Sequence, residues 1–328
     1  MTPDILQVRG LTVDAPNPAG DPVRIVDGID VSIAPGERVA LVGESGSGKS
    51  VTARALLGLD ESMILNGSIT YDGRELVGAS GRDLRRVRGQ EIAMVFQDAL
   101  GALNPLMTVG QQITEPLRAR GASRATAQRE AVRTLDELGV ADAGRRMRSY
   151  PHEFSGGMRQ RVVLAMALVG QPRLLIADEP TTALDVRMQA QVMQLLTEVA
   201  AERRLAVLFI THDVGVVGDF ADRTVVMYAG KIVEQCTVAD FFGRPAHPYT
   251  RGLLAAVPRV NSEERLRSMP GAPPRPAARP SGCVFVGRCS FATDRCREER
   301  PMLRTQPSTG AAVACHLAPA LEAVERVQ

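Results

Sequence analysis

A glycine-rich stretch with one lysine, GESGSGKS at residues 43–50, has the spacing G-x-x-x-x-G-K-S. Such a stretch binds phosphates when it lies between a strand and a helix, because its backbone N–H groups converge and the helix N-terminus adds the positive end of its dipole. Lys49 would reach the β- and γ-phosphates, and the Ser50 hydroxyl would ligate Mg²⁺. The chain has only two lysines, so finding one of them here favours a phosphate site over a chance glycine-rich turn.

Two carboxylates, Asp178 and Glu179, directly follow the apolar run LLIA. Ligands of open α/β sheets bind at the carboxyl ends of the strands. Asp178 therefore suits Mg²⁺, and Glu179 is placed to act as a general base on an attacking water. An isolated acidic pair is more often a solvated strand end, but its position after a phosphate loop favours the catalytic interpretation.

A second candidate anion site is FSGGMRQR at residues 154–161, which precedes the apolar run VVLAMALVG. A serine and two glycines at a helix start can bind an anion in the same way as the first loop. The alternative is an ordinary N-cap followed by a flexible turn, and the stretch alone does not decide between them.

The elements that would position these residues alternate between strand and helix. A strand ERVALVG precedes the phosphate loop and a helix KSVTARALLGL follows it. The stretch SRATAQREAVRTLDELGV predicts a helix that begins after Ser123 and ends at Gly139. RLLIAD and LAVLFITHD are short and apolar on both faces, and the helical QAQVMQLLTEVAAE separates them, which predicts a parallel sheet. TVVMYAGKIVE predicts a hairpin that turns at Ala229-Gly230.

The bulk composition sets limits on the partners. A length of 328 residues suggests about two domains, and a net charge of +2 gives no argument for a nucleic-acid partner. The N-terminus has no secretory pattern, and the longest apolar run, residues 162–169, is less than half of the ~20 residues that a membrane span needs. We expect a soluble, cytosolic chain that reaches a membrane only through a partner.

The C-terminal part begins with the proline-rich run MPGAPPRPAARPSG at residues 269–282, which predicts an extended linker. Four cysteines follow: Cys283, Cys289, Cys296 and Cys315. Disulfides do not fit the cytosol, a zinc site usually shows C-x₂₋₄-C pairs, and an iron–sulfur cluster also needs four thiolates. The spacing leaves zinc and iron–sulfur open. Positive charge favours thiolates, and four arginines lie nearby: Arg288, Arg295, Arg297 and Arg300.

From about residue 5 to 320 the chain resembles the ATPases of ABC transporters. The motifs occur in the order of that family: Walker A at 43–50, the Q-loop at Gln97, the signature FSGGM, Walker B LLIADEP, the D-loop TALD at 182–185 and the switch histidine His212. The closest resemblance is to the dipeptide/oligopeptide importer ATPases. It rests on LNP at 103–105, YPHEFSGGMRQR, ADEPTTALDV, HPYTRGLL at 247–254 and the cysteine-bearing tail.

The resemblance implies an α/β fold, a P-loop NTPase with a RecA-like sheet, a helical subdomain at about 98–168 and a small cysteine-containing C-terminal module. The ATPase domain would span 1–245 and the oligopeptide-importer-type extension 246–328. Glu179, His212 and Gln97 would be catalytic, and Ser50, Gln97 and Asp178 would hold Mg²⁺. The ATP-binding residues would be Gly43, Glu44, Ser45, Gly46, Ser47, Gly48, Lys49, Ser50 and Val51, with Ser155, Gly156 and Gly157 contacting the ATP of a partner subunit.

The resemblance also implies a function and partners. The chain would hydrolyse ATP to power peptide import, with nickel, glutathione or another small solute, or a non-transport ABC role, as alternatives. Its partners would be a second, different ATPase chain and two membrane permease subunits, with an extracytoplasmic binding protein contacted indirectly. The chain would lie at the cytoplasmic face of the membrane. For the four cysteines the resemblance favours a structural 4Fe–4S cluster over zinc.

Among the departures from the family pattern, one bears on nucleotide affinity. The aromatic residue that usually stacks on adenine before the P-loop is missing, because no Phe, Tyr or Trp precedes Tyr71. Stacking contributes only about 0.5–1.5 kcal/mol beyond area burial, so we expect weaker nucleotide affinity rather than none.

Overall fold

The computed structural model describes residues 3–18, 20–97, 101–181, 185–257 and 269–318. The strands are β1 (Leu6–Ala15), β2 (Val23–Ile33), β3 (Arg38–Val42), β4 (Ile64–Tyr71), β5 (Arg74–Glu75), β6 (Ile92–Val95), β7 (Leu174–Asp178), β8 (Ala206–Thr211), β9 (Arg223–Tyr228), β10 (Lys231–Thr237), β11 (Arg304–Thr305) and β12 (Ala312–Val313). The helices are α1 (Lys49–Leu56), α2 (Gly81–Val87), α3 (Val109–Ala119), α4 (Arg124–Glu137), α5 (Ala143–Arg146), α6 (Gly156–Leu168), α7 (Val186–Arg203), α8 (Val217–Phe220), α9 (Val238–Gly243), α10 (Pro248–Ala255) and α11 (Asp294–Glu298).

The chain divides into two compact units. Unit 1 consists of Met1–Ile5, Ala34–Glu37 and Ala79–Phe209, and unit 2 consists of Leu6–Ile33, Arg38–Gly78 and Ile210–Gln328.

Unit 1 contains a parallel sheet with helices beside it. β6 and β7 pair in parallel, with Ile92 opposite Leu174 and Val95 opposite Ala177. Every residue of β7 is buried, which is typical of a parallel strand that is covered on both faces. The buried strand that the run RLLIAD predicts is therefore confirmed.

Helix α4 has the boundaries that the sequence predicts. The hydroxyl of Ser123 accepts a hydrogen bond from the N–H of Thr126 at 3.1 Å, so Ser123 is the N-cap. Gly139 follows the last turn with a left-handed φ of 67°, which glycine adopts without strain. The buried face of α4, which includes Ala127, Ala131 and Leu135, packs toward α3 and α6.

Unit 2 contains an antiparallel sheet and a second group of strands that includes β3. β1 pairs with β2 and with β4, which gives the order β2-β1-β4-β5. In the second group, β3 pairs in parallel with β9, and β9 and β10 form the predicted hairpin. Its turn residues Ala229 and Gly230 have φ values of 45° and 80°, as a two-residue hairpin loop requires.

The C-terminal part adds two short strands to this second group. β12 pairs with the free edge of β10, with Glu234 opposite Val313, and β11 pairs with β12. The proline-rich run at 269–282 contains no helix or strand other than one 3₁₀ turn at Pro276–Ala278, which agrees with the predicted extended linker. Nowhere in the described ranges does a helix combine the length and the apolar character needed to cross a membrane.

Candidate functional site

The P-loop lies between β3 and α1 in unit 2, the context that the motif requires. A Cβ on Gly43 would overlap the carbonyl oxygen of Met227, so the loop passes too close to that strand to carry a side chain there. Gly48 is the N-cap of α1 and has a φ of 107°, a conformation that favours glycine. The loop can therefore present its backbone amides and the start of α1 to a phosphate.

Lys49 is held inside the loop. Its side chain is 4% exposed, and its Nζ donates hydrogen bonds to the carbonyl oxygens of Gly43 at 2.7 Å and Glu44 at 3.1 Å. These bonds satisfy the buried ammonium group, which would otherwise be costly to bury. A loop of amides with one ammonium group inside it has the donor set that a nucleotide phosphate needs.

Two residues outside the predicted set also contact the P-loop. The N–H of Glu44 donates to the hydroxyl of Tyr249 at 2.8 Å, and the Glu44 carboxylate forms an ion pair with Arg288 at 2.9 Å. Although burial opposes its charge, hydrogen bonds to Glu44 and Tyr228 raise the pKa of Arg288 above its ordinary value. In the sequence, Tyr249 was visible only as part of HPYTRGLL, and nothing connected either residue with the P-loop.

In unit 1 the structure brings Gln97 and Glu179 together. The amide Nε2 of Gln97 donates to Oε2 of Glu179 at 2.9 Å. Asp178 is the last residue of β7 and is 4% exposed, and Glu179 is 7% exposed. The two carboxylates thus lie at the carboxyl end of a buried parallel strand, as the sequence predicts.

The signature FSGGM begins α6. Ser155 is its N-cap, with the hydroxyl accepting from the N–H of Met158 at 3.4 Å, and both Ser155 and Gly156 are exposed. A Cβ on Gly157 would overlap the end of the Met188 side chain, which would have to move to make room for it. The helix start is thus both capped and accessible.

The remaining predicted residues lie at the ends of elements. Ser50 is the second residue of α1 and Val51 the third. His212 follows β8 and is exposed. In the D-loop, residues 182–184 lie outside the described part, while Asp185 caps α7 by accepting from the N–H of Met188 at 2.9 Å.

The four C-terminal cysteines line one small cavity in unit 2, together with His247, Pro248, Phe285, Val286, Pro301, His316 and Leu317. All four are free thiols, and Cys236 is a fifth, which is buried. Burial raises the pKa of Cys283 to about 11 and also raises the pKa values of Cys289 and Cys315. Within the described ranges, no three His, Cys, Asp or Glu side chains are arranged to hold a metal ion.

The arginines near these cysteines are paired with carboxylates. Arg288 pairs with Glu44, Arg295 with Glu299, Arg297 with Asp294 and Arg300 with Asp27. The sequence suggested that these arginines favour thiolates, but the structure gives each of them a carboxylate partner.

The class of protein follows from these elements and from comparison with known families. The ABC transporter family model matches residues 26–182, which contain the P-loop, Gln97, the signature and both carboxylates. A dimeric bacterial ABC transporter cassette has a similar structure, with a TM-score of 0.63 and 26% identity, covering 71% of this chain and 98% of that one. CbiO1 of Clostridium perfringens, part of an ABC transporter complex, gives a TM-score of 0.64 at 26% identity, covering 74% and 91%. The chain is an ATP-binding-cassette ATPase.

The family within the ABC ATPases is identified by the C-terminal part and by relatives that match over nearly the full length. The family model for the oligopeptide/dipeptide transporter C-terminal region matches residues 233–296. A putative peptide import ATP-binding protein of Brucella abortus is 47% identical over 92% of both chains. The oligopeptide transport ATP-binding protein OppD of Salmonella typhimurium is 47% identical, covering 92% of this chain and 91% of that one. The chain therefore belongs to the family of oligopeptide/dipeptide ABC transporter ATP-binding proteins.

Proposed function

We propose that this ATPase powers the import of di- or oligopeptides through a membrane permease. The observation that carries the proposal is the near full-length similarity, at 46–47% identity, to proteins named for peptide import and oligopeptide transport, which extends into the C-terminal region. The division into an ATPase domain at 1–245 and an extension at 246–328 belongs to the same proposal.

The site residues take the following roles in the proposal. Lys49 contacts the β- and γ-phosphates, and Ser50, Gln97 and Asp178 hold Mg²⁺. Glu179 removes a proton from the attacking water, supported by its position at a strand end and its contact with Gln97. His212 contacts the γ-phosphate, and its exposure after β8 leaves it accessible.

The partners in the proposal are a second ATPase chain and two permease subunits. Ser155, Gly156 and Gly157 contact the nucleotide of the second ATPase, which the exposure of Ser155 and Gly156 supports. The large apolar or aromatic side chains that the described part of unit 1 exposes include Phe96, Leu106 and Tyr150, and Phe96 directly precedes Gln97. Exposed apolar residues of this kind are consistent with docking of a permease at the cytoplasmic face of the membrane.

Transport measurements with the full complex test the peptide assignment. The chain would be reconstituted in liposomes with permease and binding-protein subunits from the same organism, and ATP hydrolysis would be measured with di- and oligopeptides, nickel or glutathione. We expect stimulation by peptides only. Stimulation by nickel or glutathione without any by peptides would contradict the peptide assignment, and failure to assemble with permease subunits would contradict the transport role.

A 4Fe–4S cluster on Cys283, Cys289, Cys296 and Cys315 is the final part of the proposal. The four thiols face one cavity, and a cluster of this type takes four cysteine ligands. When bound, the cluster would order the C-terminal module.

Metal analysis after anaerobic purification tests this part. We expect about four iron atoms per chain and broad absorbance near 400 nm, both lost when the four cysteines are replaced by serine. Cys236→Ser is the matched control and should keep the iron. Stoichiometric zinc without iron would overturn the cluster.

A further inference from the structure

Residues far along the chain hold the P-loop at one residue, Glu44. The backbone N–H of Glu44 donates to the hydroxyl of Tyr249, and its side chain pairs with Arg288. Its carbonyl oxygen accepts from Lys49. Glu44 is therefore fixed at its amide, its side chain and its carbonyl, and two of these three contacts come from beyond residue 245.

The contact between Arg288 and Glu44 is a two-point ion pair. Nη1 of Arg288 lies 2.9 Å from one carboxylate oxygen of Glu44, and Nη2 lies 3.1 Å from the other. Such bidentate pairs fix the orientation of the carboxylate as well as its distance. The Arg288 side chain is only 7% exposed and that of Glu44 is 26% exposed, so solvent screens this pair less than a surface pair.

Arg288 is itself held in place. Its Nε donates to the carbonyl oxygen of Pro270 at 2.9 Å, and its guanidinium lies 5.8 Å from the ring centre of Tyr228 and 6.0 Å from that of Phe285. The rings of Tyr228, Tyr249 and Phe285 contact one another, with centroids 4.6–5.5 Å apart. The Arg288 and Tyr249 side chains that reach Glu44 thus come from a packed aromatic cluster rather than from mobile surface chains.

This cluster can influence nucleotide binding because Glu44 supplies one of the carbonyl oxygens that hold Lys49. Lys49 donates to the carbonyl oxygens of Gly43 and Glu44, the two residues at the start of the loop. Holding Glu44 reduces the number of conformations that the loop must give up when it closes on phosphates. Preorganisation of this kind raises affinity by lowering the entropy cost of binding.

We infer that Arg288 and Tyr249 are positioning residues of the nucleotide site, which act through Glu44 to set the affinity for ATP. The inference requires only that nucleotide binds at the P-loop, so it stands independently of the transported substrate.

Titration of the full-length protein with a fluorescent ATP analogue such as mant-ATP tests the inference. We expect Arg288→Gln to raise the Kd about tenfold, Tyr249→Phe to raise it severalfold, and Arg288→Lys to give an intermediate value, because lysine keeps the charge but loses the two-point geometry. Arg295→Gln is the matched control, since Arg295 pairs with Glu299 at an exposed position in the same part of the chain, and it should leave the Kd unchanged.

A double-mutant cycle separates positioning of the loop from general support of the fold. If Arg288 acts through Glu44, then Glu44→Gln combined with Arg288→Gln should raise the Kd no further than the larger single change. Fold-changes that multiply would overturn the inference, as would an unchanged Kd in Tyr249→Phe together with Arg288→Lys. If Arg288→Gln does not fold, Tyr249→Phe and Glu44→Gln decide, because each preserves the shape of its side chain.

Discussion

Glu179 has a backbone conformation that side-chain-bearing residues seldom adopt. Its φ is 49°, in the left-handed region, immediately after the buried strand β7. Such a conformation costs of order 1–3 kcal/mol and persists where the surrounding structure enforces it, often at functional sites. The turn directs Glu179 out of the strand, where its carboxylate meets Gln97.

Replacing Glu179 by glutamine should separate binding from hydrolysis. The amide keeps the size of the side chain but cannot accept a proton from water, so we expect ATP affinity close to that of the wild type and turnover lower by roughly 10²–10⁴-fold. Single-turnover phosphate release and mant-ATP titration measure the two effects. Glu198→Gln, at an exposed position of α7, should change neither, and near-normal hydrolysis by Glu179→Gln would remove Glu179 from the role of base.

Gly43 provides a second test at the level of a single residue. A Cβ there would overlap the Met227 carbonyl oxygen, a backbone atom that cannot rotate away. We therefore expect Gly43→Ala to shift the loop and to raise the Kd for ATP at least about tenfold. Gly144→Ala is the control, because a Cβ on Gly144 meets open space. Unchanged ATP affinity in Gly43→Ala would show that the loop tolerates displacement at its first residue.

The sequence predicts these residues because their geometry is local. A P-loop can be recognised from its glycines, its lysine and the start of the following helix, which all lie within eight residues. Carboxylates at a strand end can be recognised from the apolar run that directly precedes them. Tyr249 and Arg288 lie 205 and 244 positions from Glu44, and no local pattern connects them. Their role depends on how the chain packs, which residue types and spacing alone do not reveal.

At the scale of elements, Asp27 on β2 joins three segments of unit 2. Its carboxylate lies 3.1 Å from Lys231 on β10, 2.9 Å from Arg300 near the cysteines and 3.7 Å from Arg24 on its own strand. Burial acts to raise the pKa of Asp27, but the bond to Lys231 and the charges of Arg300 and Arg24 outweigh it, and the pKa lies below its ordinary value. The charged form of Asp27 is therefore stabilised by folding.

Asp27→Asn should accordingly destabilise the protein in a pH-dependent way. A lowered pKa contributes stability above the unfolded-state value of about 3.9, and that contribution is lost as the pH falls through the lower folded-state value. We expect a loss of about 1–2 kcal/mol near neutral pH, visible as a Tm lower by roughly 2–5 °C, and a difference that shrinks below about pH 4.

Thermal unfolding across this pH range provides the measurement. Asp294→Asn is the control, since Asp294 is 92% exposed and its pair with Arg297 should contribute little. A Tm difference for Asp27→Asn that persists unchanged at pH 3 would contradict the electrostatic explanation.

The helices and strands were largely predictable where the sequence has a periodic apolar pattern or a clear cap or turn residue. The N-cap at Ser123, the hairpin turn at Ala229-Gly230 and the buried strand β7 all appear where the sequence places them. The strands β11 and β12 were not predicted, because each contains two residues and is defined only by pairing with a neighbour. Two residues carry no periodicity.

At the scale of the whole molecule, the open point is whether the signature of this chain pairs with the nucleotide site of a second copy or of a different ATPase chain. Ser155 and Gly156 at the start of α6 are exposed, and in the proposed function they bind the nucleotide of another chain. We expect the Glu179→Gln variant, saturated with ATP, to remain monomeric alone and to dimerise when mixed with a second ATPase chain from the same transporter. Mass photometry with and without ATP distinguishes these states. An ATP-dependent homodimer would contradict the expected heterodimer, and Ser155→Trp, which adds bulk at the signature, should weaken either dimer.

The pair formed by Arg288 and Glu44 also restricts how related proteins can be recombined. A tail taken from a relative and joined to the ATPase portion of this chain will meet Glu44 at this contact, even though the junction can lie far from both residues. A graft that places a neutral residue opposite Glu44 leaves a carboxylate without its cation, whereas a graft that preserves both charges leaves the contact intact. Positions 44 and 288 should therefore be exchanged together.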